Sequence, residues 1–161
     1  PTVLFPAAGC TVAPAQLEEN RKVALAFFAP NADRVALADP TYKQHNPAFV
    51  KGAREAGMSD YDYFKARFGG PPAARGGGAP RAGGPPAGPQ PPAAAPYEFA
   101  VAQCDTVFIL RKQFRQDPTL PPGNFYEAYS FDAFRVQNGK LVEHWDMAVI
   151  NPPAPAGGRG Q

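Results

Sequence analysis

His144 and Asp146 are two ionisable residues separated by one residue in a stretch, residues 138–150, that is otherwise apolar enough for a core strand. Because side chains alternate between the two faces of a strand, His144 and Asp146 should share one face with Val142, opposite Trp145. Ionisable groups in a buried strand must be paired, solvated or exposed to a cavity. We interpret the two as lining a cavity, where an imidazole and a carboxylate can move protons. The alternative is a pair at the sheet edge that fixes strand geometry or meets solvent.

Several other classes of site find no support in the sequence. Two histidines and a carboxylate without a recognised ligand spacing, and cysteines far apart in the chain, give no reason to expect a metal. There is no Gly-x-Ser-x-Gly elbow and no phosphate-binding Gly-Lys-Ser/Thr loop, so we expect no cofactor. The net charge is +2 without a basic stripe, and no apolar run is long enough for a membrane span. We therefore expect neither nucleic acid nor membrane as a partner.

Apolar periodicity and capping residues predict three helices before any strand. Residues 14–29 carry Pro14 in the first turn and apolar residues at three- and four-residue spacing. A short helix over residues 32–38 would be capped by Asn31, and a third helix would begin after the N-cap Ser59. Between them, residues 41–47 form a short extended run that contains the only other histidine, His45.

Four strands are predicted after the helices, at residues 97–104, 106–115, 125–136 and from residue 140 onward. Asn138 and Gly139 tolerate the positive φ angles of a type I′ turn, so the last two strands should form a hairpin. Helices followed by successive strands indicate an α+β domain whose antiparallel sheet of about four strands folds over the helices.

Residues 69–96 consist of Gly, Pro and Ala apart from Arg75, Arg81 and Gln90, and residues 151–161 have a similar composition. A segment without large apolar side chains cannot offset its ordering entropy by burial, so we predict a flexible or polyproline-like insertion. We expect a single domain over residues 14–150 that contains this insertion and follows an N-terminal extension, residues 1–13. We expect a homo-oligomer, or a larger assembly joined through these Pro/Gly-rich segments.

Cys10 and Cys104 either form a bridge in an oxidising compartment or leave Cys104 as a small buried apolar residue. The short apolar lead at residues 3–9 is typical of what remains after a secretion signal is removed. We therefore expect export to the periplasm or the extracellular space, with a cytoplasmic location as the alternative.

The order of helix, short helix, "YKQHNP", helix and four strands ending in "FDAFRVQNGKLVEHWD" resembles the SnoaL-like branch of the nuclear transport factor 2-like superfamily. The likeness covers residues 16–149 without the insertion. It implies a cone-shaped α+β barrel, in which a curved sheet wraps over the helices around an apolar pocket, commonly in dimers or higher oligomers. The superfamily includes polyketide cyclases, ketosteroid isomerases, dehydratases and non-catalytic binding proteins, so the fold alone does not specify the chemistry.

The resemblance also implies roles for single residues. Asp146 matches the acid/base aspartate in the final strand of the cyclases, and His144 matches a nearby histidine of that pocket. His45 falls where the isomerase relatives keep a base carboxylate, and a histidine there can exchange protons near neutral pH. The alternative for His45 is a structural histidine bonded to a backbone carbonyl. The candidate substrate contacts are Tyr42, Asn46, Phe49, Tyr126 and Trp145.

The predicted function is therefore a cofactor-free acid/base enzyme of the aldol, isomerase or dehydratase type, acting on a small apolar carbonyl or hydroxyl compound. Asp146 and His45 would transfer protons, and His144 would orient Asp146 or bind the developing oxyanion. The alternative, from a different class, is a non-catalytic exported binding or self-assembling protein with the same fold.

Overall fold

The computed structural model describes residues 10–70, 89–93, 95 and 97–148, so most of the Pro/Gly-rich insertion and the tail lie outside the described residues. Within them, four helices and five strands follow one another in the order α1 (Pro14–Ala26), α2 (Arg34–Leu37), β1 (Ala38–Gln44), α3 (Pro47–Glu55), α4 (Asp60–Phe68), β2 (Phe99–Gln103), β3 (Thr106–Gln116), β4 (Phe125–Gln137) and β5 (Lys140–Asp146). The predicted α+β class is confirmed. Helix α3 was not predicted, and the extended run predicted at residues 41–47 belongs in part to a longer sheet strand, β1.

Capping side chains account for where the helices begin. Ser59 accepts a hydrogen bond from the backbone N–H of Asp62 and starts α4, as the sequence predicts. Asn46 does the same for the unpredicted α3, because its Oδ1 accepts from the N–H groups of Ala48 and Phe49 while Pro47 occupies the first turn. The prediction of Asn31 as the cap of α2 is wrong, since Asp33 caps it.

The strands form a single sheet in the order β1-β5-β4-β3-β2, in which β1 pairs parallel with β5 and the other neighbours are antiparallel. Among the described residues, β1 and β2 are the two edges, so this sheet does not close into a barrel. The short run that carries His45 thus continues from a sheet strand rather than from a loop. This pairing brings residues 44–46 beside the end of β5.

The turn between β4 and β5 is confirmed as a two-residue turn with positive φ angles, 51° at Asn138 and 73° at Gly139. The hairpin nevertheless contains a register shift, because Arg135 pairs with Glu143 while Val136 pairs with Leu141. Val142 is the extra residue of this bulge. Because of this bulge, the apolar side chain of β5 that is buried together with His144 is that of Leu141, three positions before it. Regular strand alternation would have placed Val142 there.

One hydrophobic core lies between the helices and the inner face of the sheet. Its buried residues are Ala24, Phe27, Ala38, Tyr42, Phe64, Val107, Ile109, Phe134, Val136 and Leu141. Helix α1 packs across β2, β3 and β4, and α4 packs against β1. No helix in the described part of the chain is long and apolar enough to cross a membrane.

A disulfide joins Cys10, just before α1, to Cys104 in the β2–β3 turn, with Cα atoms 5.8 Å apart and a sequence separation of 94. Asn20 on α1 donates a hydrogen bond to the carbonyl oxygen of Cys104 at 3.0 Å, so the turn is held to α1 by two links. The bridge resolves the alternative left open by the sequence: Cys104 is not a free thiol.

Replacing both cysteines by serine should lower the free energy of unfolding by about 2–4 kcal/mol, because the cross-link restricts a long segment of the unfolded chain. Urea denaturation of oxidised wild type and the double variant measures the difference. Reduced wild type is the matched control and should behave like the variant. Superimposable curves for the oxidised and reduced proteins would contradict the prediction.

Candidate active site

His144 lies at the centre of a buried polar network on the inner face of β5. It is 4% exposed, and its ring stacks on Phe134 with the ring centroids 4.1 Å apart and the planes 9° apart. Its Nε2 lies 3.1 Å from Asp132 Oδ1, and its Nδ1 lies 3.2 Å from the Tyr42 hydroxyl and 3.0 Å from Gln44 Nε2. Every polar atom of the imidazole thus has a partner, which fixes the ring in one orientation.

The hydrogen-bond network also determines which nitrogen of His144 carries the proton. Gln44 Oε1 accepts from the backbone N–H groups of His45 and Asn46, so the amide nitrogen of Gln44 must face His144. An amide nitrogen only donates, and Nδ1 must therefore accept. The proton of neutral His144 is on Nε2, where it is donated to Asp132.

Tyr42 supports the ring from β1. Burial raises the pKa of its hydroxyl far above the ordinary range, and the negative charges of Asp146, Asp60 and Asp132 raise it further. The hydroxyl therefore remains protonated and can donate to His144 Nδ1. Tyr42 is not among the residues that line the cavity, and its hydroxyl contacts His144 instead.

Asp132, on β4, is the acceptor for His144 and is itself 7% exposed. Its second oxygen lies 3.3 Å from Arg111 Nε, and the Arg111 guanidinium sits 4.1 Å from the centre of the Phe28 ring. The buried carboxylate is thus compensated by one cation and one imidazole N–H, as a buried charge requires. The sequence prediction did not include Asp132.

Asp146 pairs opposite Asp132 across the β4–β5 hairpin, on the same face of the sheet. Its Oδ1 accepts a hydrogen bond from Asn46 Nδ2 at 2.7 Å, and its Oδ2 lies 4.0 Å from His144 Nε2, beyond hydrogen-bond distance. Asn46 is the only described side chain that donates to this carboxylate. One oxygen of Asp146 is therefore held in place while the other is available to accept a proton from a ligand.

Asp132, His144 and Asp146 meet in a cavity of about 340 Å³ between the sheet and helices α3 and α4. Four phenylalanines form its apolar wall, and the remaining lining residues are mainly polar. They are Phe27, Phe49, Phe64 and Phe68, together with Gln44, Asn46, Ala48 and Arg67. A carboxylate beside an aromatic wall has the composition of a site for an apolar molecule with a few polar groups.

His45 does not reach this cavity, which corrects the expectation that it converges with Asp146. Its ring stacks on Trp145, with the planes 5° apart and the centroids 4.8 Å apart, and its Nε2 contacts Glu143 Oε1 at 2.9 Å. Glu143 and Trp145 lie on the face of β5 opposite His144. Because His45 follows β1 directly, strand alternation turns its side chain away from the face that Gln44 occupies.

The five predicted substrate contacts divide into two groups. Asn46 and Phe49 line the cavity, and Asn46 has the additional structural role of capping α3. Tyr42, Tyr126 and Trp145 do not line it. Tyr126 is 46% exposed near the far end of β4, and Trp145 lies under the Arg135 guanidinium on the outer face.

Asp132, His144 and Asp146 could in principle hold a metal, since one ligand atom from each lies within 4.8 Å of the others. A ligating histidine, however, offers a bare nitrogen to the metal and donates its other N–H outward. Here Nδ1 faces the amide nitrogen of Gln44, and the proton belongs on Nε2, on the side where a metal would bind. The surroundings of His144 therefore fit a proton-carrying imidazole better than a metal ligand.

Comparison with known proteins adds little to this geometry. No family model matches the chain, and no curated protein matches it. Among solved structures, TsrD from Streptomyces laurentii is similar with a TM-score of 0.37 and 15% sequence identity, over 85% of this chain and 90% of that chain. A superposition at this level establishes neither a shared family nor a shared activity.

Proposed function

We propose that the protein is a cofactor-independent acid/base enzyme of the SnoaL-like type, which enolises a small apolar carbonyl compound. The supporting observation is the position of Asp146, whose second oxygen lines an aromatic cavity beside the amide of Asn46. Aldol, isomerisation and dehydration reactions all pass through an enol or enolate, so the same pair of groups serves each of them.

Asp146 is the proposed base. It takes a proton from the carbon next to the substrate carbonyl, and the electron pair of that C–H bond moves onto the carbonyl oxygen. The base becomes neutral as the oxygen becomes negative, so the net charge inside the cavity does not change. The Nε2–H of His144 is already donated to Asp132, so the imidazole holds that carboxylate in place instead of binding the oxyanion. Asn46 Nδ2 donates one N–H to Asp146 and lines the cavity, and its second N–H is assigned to the developing oxyanion.

The four phenylalanines restrict the substrate to a flat or compact apolar body. Such a ligand excludes water from the carboxylate and the imidazole, which strengthens their electrostatic interactions with the reacting atoms. His45 has no part in this mechanism, because its side chain is bonded to Glu143 on the other face of the sheet.

Hydrogen–deuterium exchange tests enolisation without knowledge of the natural substrate. The wild-type protein in D₂O should accelerate exchange at the carbons flanking the carbonyl of β-tetralone, an apolar bicyclic ketone, above the rate in buffer alone. Proton NMR follows the loss of the signal. A rate equal to that of buffer, with ketone shown by calorimetry to be bound, would refute the enzyme proposal.

That refuting outcome would favour the second candidate, a binding protein that retains the cavity without the reaction. A specific observation supports an interaction role as well: apolar side chains are exposed on the outer face of β2, β3 and β4. Phe99, Val101, Phe108 and Phe131 are 37–55% exposed, with the rings of Phe108 and Phe131 5.4 Å apart. A second copy of the chain covering this face is the homo-oligomer we propose, and light scattering measures its mass.

Export is proposed together with either function. Disulfides persist in oxidising compartments such as the periplasm and the extracellular space, and the Cys10–Cys104 bridge is a link of this kind.

A further inference from the structure

A second, polar cavity meets the aromatic one at the proposed base. It has a volume of about 160 Å³ and shares Asn46, Asp132 and Asp146 with the aromatic cavity. Its other walls differ in character, because Arg111, Gln113, Arg115 and Ser130 outnumber the two apolar residues there, Phe131 and Met147. The polar cavity thus adds two arginines and further hydrogen-bond donors to the surroundings of Asp146.

The pairing of β3 with β4 explains how this polar compartment forms. Arg111, Gln113 and Arg115 alternate along β3 and so point to the same face of the sheet. On β4, Ser130 lies opposite Arg111 of β3, and the Ser130 Oγ accepts a hydrogen bond from Gln113 Nε2 at 3.1 Å. Because that bond uses a lone pair of the hydroxyl, the Ser130 O–H remains able to donate to a ligand.

The two arginines have different partners. Arg111 faces Asp132, but its buried Nε makes no hydrogen bond, and its cation compensates the Asp132 charge. Arg115 is exposed, and no carboxylate of the described residues lies within ion-pair distance of it. The compartment thus contains two arginines and two carboxylates; Arg111 is paired with Asp132, and Arg115 remains available to a ligand. A guanidinium beside hydroxyl and amide donors is suited to the planar oxygens of a carboxylate.

We propose that the substrate of this site is a carboxylic acid, whose apolar body fills the phenylalanine-lined cavity and whose carboxylate binds Arg115 beside Ser130 and Gln113. This inference rests on the proposed function for the identity of the reacting carbon, and it adds the substrate class. Asp132 and Asp146 line both cavities and repel an anion beside them, so the carboxylate is directed toward Arg115, while Arg67 in the aromatic cavity is the competing cation.

Binding of a matched pair of ligands tests the inference. β-Naphthoylpropionate is an enolisable aryl ketone with a carboxylate two carbons beyond the ketone, and its primary amide has the same shape without the charge. Calorimetry with the wild-type protein should give roughly ten-fold tighter binding of the acid than of the amide. Arg115→Ala should remove most of that preference, and Arg115→Lys should retain part of it.

Arg54→Ala is the charge-matched control, because it removes one cation from the surface of α3, outside both cavities. The control should keep the full preference for the acid. Equal affinity of the wild type for acid and amide, no measurable binding of the acid, or an unchanged preference in Arg115→Ala would each overturn the inference. A preference for the acid without deuterium exchange into either ligand would instead refute the proposed catalysis and leave the carboxylate site standing.

Discussion

Asp146→Asn is expected to lower the rate of ketone deuteration by about 10²- to 10⁴-fold, the range that removal of a general base typically produces. The substitution keeps the size and shape of the side chain, and the asparagine oxygen can still accept the hydrogen bond from Asn46 that now orients the carboxylate. It removes only the ability to accept a proton. Affinity for the ketone should therefore change little while the exchange rate falls.

The control for this variant is His45→Ala, because the sequence by itself gave both residues the same role. His45 contacts Glu143 and Trp145 on the outer face, so its loss should leave the exchange rate within about two-fold of wild type. A strong loss of exchange in His45→Ala together with normal exchange in Asp146→Asn would reverse the assignment of the base.

Asp132→Ala is expected to destabilise the fold by about 3–5 kcal/mol, the cost of removing one member of a buried ion pair. The substitution removes a partner from two groups at once: Arg111 loses its counter-charge, and the N–H of His144 loses its hydrogen-bond acceptor. His144 is 4% exposed and the Arg111 side chain 25%, so water compensates the loss of the carboxylate only in part. Chemical denaturation followed by circular dichroism measures the change.

A double-mutant cycle with Arg111→Met separates the ion pair from simple loss of packing. Methionine keeps much of the apolar stem of arginine and leaves no buried cation. The double variant should therefore be more stable than Asp132→Ala alone, with a coupling energy of about 1–3 kcal/mol between the two positions. Additive effects at the two positions would show that Arg111 and Asp132 do not stabilise each other.

Several parts of the fold were predictable because their causes are local. Ser59 caps α4 through its own hydroxyl, and Asn138 with Gly139 adopts the positive φ angles of the turn that the dipeptide favours. The strand boundaries of β3 and β4 were predicted within one or two residues. Helix α3 was missed although Asn46 and Pro47 carry a recognisable start signal, because residues 41–47 were predicted as one extended run.

The candidate site was predicted only in part, because the hairpin of β4 and β5 contains a bulge that the sequence did not predict. A regular two-residue turn would set Asp132 opposite Trp145, whereas the bulge at Val142 sets it opposite Asp146. A shift of one residue exchanges the two faces of a strand, so the partner of a carboxylate cannot be determined without the bulge. Asp132 stands between Phe131 and Ala133 on a predicted strand, and a charged residue between apolar neighbours was the only signal for it in the sequence.

The sequence by itself determined the α+β class, the final hairpin and the presence of His144 and Asp146 on one face of the last strand, because these depend on local backbone preferences and strand alternation. Only the tertiary structure decided that Asp132 rather than His45 completes the site. That outcome depends on the parallel pairing of β1 with β5 and on the bulge in the hairpin. Both are fixed by contacts between segments distant in the chain, whose register local sequence does not encode.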